Sequence, residues 1–235
     1  MGEHKRIVTI DGPSGGGKST VSRALAQILG FTYLDTGAMY RAVAYACREK
    51  RVGLDNSDRL TSLLESIHIE LLPPAPGTDD VRVILDGREI GQDLRTAEMG
   101  LLASKVSALP TVRHVLTIMQ QRIGAGERVV AEGRDTGTVV FPQAAWKFFL
   151  DASPEVRARR RAMQLRSKGE TVDEQRLLEQ IVQRDTDDRE RTIAPLQMAP
   201  GAMYIDCSLL PAQEVIRIMY ERVTTTLCGR ADECI

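Results

Sequence analysis

Gly12-Pro13-Ser14-Gly15-Gly16-Gly17-Lys18-Ser19 matches the pattern G-x-x-x-x-G-K-[ST] of a phosphate-binding loop. The β-branched run at 7–10 predicts a buried strand ahead of it. Apolar residues at helical spacing between Val21 and Leu29 predict a helix behind it, and Gly30 is placed to end that helix. Strand, glycine loop and helix follow in the order that the motif requires, which disfavours a glycine-rich turn without a ligand. We therefore predict that this loop binds a nucleoside triphosphate.

The residue types of the loop suit a triphosphate that carries a divalent cation. Glycines let the backbone point several N–H groups at one phosphate chain, and the helix N-terminus adds partial positive charge. Lys18 is expected to reach the β- and γ-phosphates, and the Ser19 hydroxyl is expected to take a place on Mg²⁺. The predicted set for ATP is Gly12, Pro13, Ser14, Gly15, Gly16, Gly17, Lys18, Ser19 and Thr20.

Length and composition narrow the class of protein. A chain of 235 residues can hold one α/β domain with an insertion or a lid. The formal net charge of −1 argues against a general nucleic-acid binder, and no apolar run reaches the ~20 residues of a membrane span. The four cysteines show no C-x-x-C pairing and the histidines number only three, so we expect reduced thiols and no zinc site. We expect a cytoplasmic monomer that binds neither nucleic acid nor membranes.

Short apolar strands alternate with helices along most of the chain, a pattern typical of a mostly parallel sheet covered on both faces. Strands are expected at 7–10, 31–34, 129–131, 146–150 and 203–206. The first helix is expected to end at 29, and further helices are expected at 38–50, 95–109, 110–124 and 211–227. One more helix is expected to begin at 154, and a long one is expected to run from 171 towards 191. Ser57 is expected to cap a further short helix, and Thr171 to open the long one as part of a capping box with Glu174. The strand-like stretches 67–72 and 81–85 interrupt the alternation and predict a small inserted β subdomain, with a turn at Asp86-Gly87.

A phosphate loop alone does not separate kinases from GTPases and ATPase motors. Asn56 is the only asparagine, which excludes an N-K-x-D guanine motif. The strongest local charge excess is the basic cluster of Arg157, Arg159, Arg160, Arg161, Arg166 and Lys168. By charge alone this cluster is a solvated helix face, an RNA-binding patch, or a lid that brings arginines to a transferring phosphoryl group. The phosphate loop favours the lid, and Lys168-Gly169 offers a hinge.

Several other stretches resemble the bacterial cytidylate kinase family. These are Asp35-Thr36-Gly37-Ala38-Met39-Tyr40-Arg41, the segment from Gly133 to Pro142, the R-D-x-x-D-x-x-R-x-x-A-P-L pattern from Arg184 to Leu196, and Ser104, Pro110 and Arg113 in order and spacing. The resemblance covers about residues 5–226. Thr136 stands where the family often has an apolar residue and Gln143 where it often has Asp, and residues 228–235 match no family feature.

The resemblance implies the fold of a nucleoside monophosphate kinase: an α/β/α phosphate-loop core with a five-stranded parallel sheet. It implies core segments at 5–38, 114–153 and 172–227, with a monophosphate-binding arm that carries the β patch at 39–113. It further implies a helical, arginine-rich lid at 154–171 and a flexible tail at 228–235.

The resemblance also implies an activity, which is transfer of the γ-phosphoryl group of MgATP to CMP or dCMP. Residues carried over for cytosine are Thr36, Ser104, Arg113 and Asp135; for the monophosphate, Arg41, Arg134 and Arg191; and for the sugar hydroxyls, Arg184 and Asp188. Glu132 would lie near Mg²⁺ through water, and the expected catalytic set is Lys18, Arg134, Arg157, Arg160 and Arg161. The acceptor is a phosphate oxygen that is largely ionised at neutral pH, so no general base is needed.

Two alternatives stay open at the level of the sequence. Another small-molecule kinase on the same core, for deoxythymidylate or shikimate, would not account for the segment from Gly133 to Pro142. A different class of protein is an ATP-dependent regulatory or RNA-binding module that uses the arginine run for RNA.

Overall fold

The computed structural model describes residues 6–75, 78, 81–91, 93–167 and 169–228. The described residues fall into two compact units, one within Met1–Tyr33 and Gly126–Ile235 and the other within Leu34–Ala125. Lys168 of the expected hinge and residues 229–235 of the expected tail lie outside the described residues.

The main sheet has five parallel strands, as the sequence predicts, and these are β1 (Ile7–Asp11), β2 (Thr32–Asp35), β6 (Val129–Gly133), β7 (Trp146–Asp151) and β8 (Met203–Asp206). Their order across the sheet is β2-β6-β1-β7-β8. The central strand β1 is buried along its whole length, and Asp11 at its end is in register with Gly133 and Phe149 of its two neighbours. The carboxyl ends of β1 and β6 therefore lie side by side, so the segments that follow them meet at one edge.

Helices of the first unit are α1 (Lys18–Leu29), α6 (Pro154–Arg166), α7 (Glu174–Glu190) and α8 (Ala212–Cys228). The apolar stripes of α1 and α8 join the sheet in one core, to which Leu25, Phe148 and Met219 contribute. Gly30 adopts φ 64 and ends α1 in a left-handed conformation, as the sequence indicates. Within the described ranges, no helix combines the length and the apolar content that crossing a membrane requires.

The second unit contains the inserted β patch that the sequence predicts, together with helices. Its elements are α2 (Thr36–Glu49), α3 (Ser57–Ser66), β3 (Ile69–Leu72), β4 (Arg82–Leu85), β5 (Arg88–Glu89), α4 (Ala97–Ser107) and α5 (Pro110–Gly124). The three strands are antiparallel. Asp86 and Gly87 form the predicted turn between β4 and β5, both with positive φ.

Three of the expected helix starts are wrong at α3, α4 and α7, because polar residues close to those positions act as the caps. Asn56, not Ser57, caps α3 and accepts the Arg59 N–H at 3.0 Å. Asp173, not Thr171, caps α7 and accepts the Arg176 N–H at 3.1 Å. Thr96 caps α4, so the helix expected from 95 begins at Ala97 after a separate 3₁₀ turn, Asp93–Arg95.

Candidate active site

The phosphate loop leaves β1 through a position that only glycine can occupy. Gly12 has φ 149, and a Cβ atom there would lie 1.9 Å from the Leu150 carbonyl oxygen. The chain therefore passes directly over the neighbouring strand β7 before it turns into α1. Lys18 and Ser19 are the first two residues of α1, so both follow the loop at a helix N-terminus.

Lys18 is a buried cation at the head of α1. Its Nζ atom donates to the Pro13 carbonyl oxygen at 2.6 Å, which turns the side chain back across the loop. Burial lowers the pKa of Lys18 to about 7, and the positive charge of Arg134 acts in the same direction. The carboxylates of Glu132, Asp11 and Asp188 act against this lowering, and a bound triphosphate would add further negative charge beside the ammonium group.

A hydroxyl and a carboxylate meet beside the loop. The Ser19 hydroxyl donates to Glu132 Oε1 at 2.6 Å, and the Tyr33 hydroxyl donates to the same oxygen at 2.8 Å. Hydroxyl and carboxylate oxygens are the ligand types that Mg²⁺ prefers, so the residues present here fit that ion. Tyr33 was not among the predicted site residues, although it precedes the Asp35–Arg41 motif by only two positions.

A second buried carboxylate, Asp11, holds the segment that follows Arg134 and Asp135. Its two oxygens accept from the Thr136 N–H at 2.8 Å, the Thr136 hydroxyl at 2.7 Å and the Gly137 N–H at 2.7 Å. Burial raises the pKa of the Asp11 carboxyl, while these hydrogen bonds oppose the rise. The segment Thr136–Val140 forms one π-helical turn that no sequence pattern indicated.

The close approach at this turn requires glycine. A Cβ atom on Gly137 would lie 2.8 Å from the Thr9 hydroxyl oxygen and 3.1 Å from the Ala199 Cβ atom. Asp11 itself gave one signal that could have revealed its role, because it is a carboxylate at the end of an otherwise apolar strand.

The structure brings four predicted substrate residues of the first unit into one ion-pair network. Arg134 Nε contacts Asp188 Oδ2 at 2.8 Å, and Arg191 Nη1 lies 3.5 Å from the other Asp188 oxygen. Arg191 Nη2 also lies 3.7 Å from Asp135 Oδ1. Burial disfavours the Asp188 carboxylate, but Arg134, Arg184 and Arg191 together hold its pKa below the ordinary value. Two guanidinium groups are thus held side by side, an arrangement that suits a phosphate dianion.

Predicted substrate residues of the second unit have their own partners. Arg41 Nη2 pairs with Asp35 Oδ2 at 3.1 Å, and Asp35 Oδ1 caps α2 by accepting the Ala38 N–H at 2.8 Å. Because Asp35 caps the helix, α2 starts at Thr36 and not at the expected residue 38. Thr36 is buried.

Arg113 and Ser104 belong to α5 and α4 of the same unit. The Arg113 side chain is buried, and its Nη1 atom donates to the Ser107 carbonyl oxygen at 2.9 Å. Its guanidinium carbon lies 5.5 Å from the centre of the Tyr40 ring, which is within cation–π range. Ser104 is half-buried.

The three predicted lid arginines, which all lie on α6, have different surroundings. Arg157 is buried and pairs with Asp185. Arg160 donates from Nη2 to the Cys207 carbonyl oxygen at 2.7 Å, at the end of β8. Arg161 donates from Nη1 to the Gln164 side chain of its own helix at 2.7 Å.

A family model described as cytidylate kinase matches residues 8–225 of this sequence. The chain belongs to the cytidylate kinase family. The cytidylate kinase of Vibrio cholerae serotype O1 is 44% identical over 227 residues, which cover 97% of this chain and 100% of that protein. The cytidylate kinase of Caldanaerobacter subterraneus is 42% identical over 222 residues, which cover 94% and 96% of the two chains.

Among solved structures, an uncharacterized protein from Eubacterium ventriosum covers 94% of this chain and 99% of its own with a TM-score of 0.51. The two sequences are 11% identical, so the likeness concerns the fold alone. For the assignment to cytidylate kinase, the match over 8–225 is therefore the deciding observation.

Proposed function

We propose that this chain transfers the γ-phosphoryl group of ATP to CMP or dCMP, giving ADP and CDP or dCDP. The observation that carries the proposal is a combination of two features in one unit of a chain that matches the cytidylate kinase model over residues 8–225. These features are a phosphate loop with a buried lysine and a network that holds two arginines together. We further propose a cytoplasmic monomer that acts on small molecules and not on nucleic acid, in line with the net charge of −1.

The donor side of the reaction is assigned to the loop and its neighbours. Residues 12–20 cradle the triphosphate, and Lys18 reaches the β- and γ-phosphates. Ser19 and Glu132 would hold Mg²⁺, Glu132 through water, because their oxygens meet at 2.6 Å. Mg²⁺ neutralises charge on the β- and γ-phosphates when it is bound. Tyr33 keeps the Glu132 carboxylate in place through its own hydrogen bond.

The acceptor side is assigned to arginines and carboxylates. Arg134 and Arg191, with Arg41, bind the monophosphate, and Asp188 orients the first two. Arg184 and Asp188 bind the sugar hydroxyls, and Thr36, Ser104, Arg113 and Asp135 bind cytosine. The acceptor oxygen is already ionised, so the protein must align two anions that repel each other and stabilise charge on the transferring group.

A coupled assay of ADP release tests this function. The protein is mixed with MgATP and each nucleoside monophosphate in turn, and we expect rapid ADP release with CMP and dCMP. Release with thymidylate alone, or no release with any monophosphate together with RNA retention at moderate salt, would contradict the proposal.

Among the lid arginines we propose Arg161 as the one that reaches the transferring phosphoryl group. Arg157 and Arg160 donate to acceptors in other elements, whereas the side-chain bond of Arg161 is to its own helix and is easily exchanged. Arg161→Ala should lower kcat by up to ~10³-fold, as loss of an arginine finger does, with little change in KM for CMP.

Arg159→Ala is the matched control for this experiment, because Arg159 is an exposed arginine on the same helix. It removes the same charge and should leave kcat near that of the unsubstituted enzyme. If Arg161→Ala kept full kcat as well, Arg161 would be an ordinary solvated side chain.

A further inference from the structure

Arg157 is the largest fully buried side chain of the described residues, at 1% exposure. Its guanidinium meets the Asp185 carboxylate in a two-pronged contact, with Nη1 to Oδ1 at 3.1 Å and Nη2 to Oδ2 at 2.5 Å. Arg157 lies on α6 and Asp185 on α7, so the pair joins two helices. An ion pair this deeply buried is retained only with good geometry and further hydrogen bonds.

The remaining donors of Arg157 face the phosphate loop and its surroundings. Nη1 also donates to the Ser14 carbonyl oxygen at 3.1 Å, and Nε donates to the Ala152 carbonyl oxygen at 2.7 Å. A Cβ atom on Gly15 would lie 3.3 Å from the Arg157 Cβ atom, so the arginine stem packs directly against the loop. Arg157 thus supports the loop through the carbonyl group of Ser14.

A phosphate loop needs such support for a simple reason. Its N–H groups point at the ligand, so some carbonyl groups of the same loop point the other way and need donors from the protein. A guanidinium that is fixed by a buried carboxylate can supply such a donor at a constant position.

We propose that Arg157 and Asp185 form a positioning pair, in which Asp185 fixes Arg157 and Arg157 fixes the phosphate loop at Ser14 and Gly15. Neither residue touches the nucleotide. The inference rests on one part of the proposed function, which is that the phosphate loop binds a nucleotide. It gives Arg157 a different role from the predicted contact with the phosphoryl group, and it adds Asp185 to the functional residues.

The test compares two variants by calorimetric titration with ADP in the presence of Mg²⁺. Removing one partner leaves a buried charge, so the main variant is the double substitution Arg157→Met with Asp185→Leu, which removes both charges and keeps the volume. We expect it to stay folded and to unfold cooperatively in urea, because no buried charge is left without its partner. Its affinity for ADP should fall about tenfold or more, because the charged hydrogen bond to Ser14 is lost. Affinity for CMP should change little, because the pair of Arg134 and Asp188 is intact.

A matched control exists on the same two helices. Arg166 on α6 and Glu174 on α7 form an ion pair at 2.7 Å, but both side chains are 52% exposed. The double substitution Arg166→Met with Glu174→Leu therefore removes a link between α6 and α7 without touching the loop, and ADP affinity should stay unchanged.

Two results would overturn the proposal. ADP lacks the γ-phosphoryl group, so an arginine that acts only on that group would leave ADP affinity unchanged in the double variant. If the double variant does not fold, Asp185→Asn keeps the shape and one hydrogen bond, and unaltered ADP affinity in that variant would equally count against the pair. A different result would contradict the proposed function itself, namely the absence of CMP-dependent turnover by the unsubstituted chain.

Discussion

Lys18→Ala should nearly abolish turnover, lowering kcat by up to about 10³-fold, while the chain stays folded. In the proposed function the ammonium group contacts the β- and γ-phosphates, and loss of one preorganised donor typically lowers kcat by about 10²–10³-fold. Stability should not suffer, because burial lowers the pKa of Lys18 to about 7 and so disfavours its charge in the folded protein. Steady-state kinetics and urea unfolding measure the two effects separately.

The chain offers a control with a similar hydrogen bond at an exposed position. Lys147 donates from Nζ to the Pro142 carbonyl oxygen at 2.6 Å, as Lys18 does to Pro13, again across five residues. Lys147→Ala removes the same kind of hydrogen bond away from the loop and should keep kcat within about twofold. Near-normal turnover in a folded Lys18→Ala variant would refute the assignment of this loop to the triphosphate.

Asp135→Ala should make CMP and UMP nearly equal substrates. Cytosine presents an amino donor where uracil presents a carbonyl acceptor, and a carboxylate only accepts hydrogen bonds. With Asp135 at its proposed place beside the base, UMP leaves polar groups unpaired in the unsubstituted enzyme, at roughly 1–3 kcal/mol per group, which is about 10–100-fold in kcat/KM. The substitution removes this discrimination, so kcat/KM for CMP should fall far more than for UMP.

The ratio of kcat/KM for CMP to kcat/KM for UMP separates base recognition by Asp135 from a role of Asp135 in orienting Arg191. Asp135 also lies 3.7 Å from Arg191, so the substitution can disturb the proposed monophosphate site. CMP and UMP carry the same phosphate, and such a disturbance lowers kcat/KM for both alike. A variant that retained the original ratio would show that Asp135 only orients Arg191.

Local sequence patterns were sufficient to predict the phosphate loop and most strands of the sheet. The motif at 12–19 and the apolar runs around it depend on nearby residues, and the five-stranded parallel sheet is confirmed. Several helix starts could not be predicted from local patterns, because Asn56 beside Ser57 and Asp173 close to Thr171 are equally good caps by residue type. The backbone at each start decides between them.

Features made by distant residues could not be predicted. The π-helical turn at Thr136–Val140 is held by Asp11, and nothing within the turn's own sequence encodes that contact. Arg157 stands in a run of arginines for which the sequence favours an exposed lid, yet it is buried and pairs with Asp185 on α7. Tyr33 joins the site through Glu132, which is 99 residues away.

The Asp11 carboxylate has a consequence for anyone who builds chimaeras from this enzyme. It links the strand before the phosphate loop to a turn 125 residues further along, and Gly137 touches that strand too closely to accept a larger residue. Exchanging either segment alone for that of another kinase would leave a buried acid without donors, or backbone donors without an acceptor. The two segments form one cassette, and they have to be transplanted together.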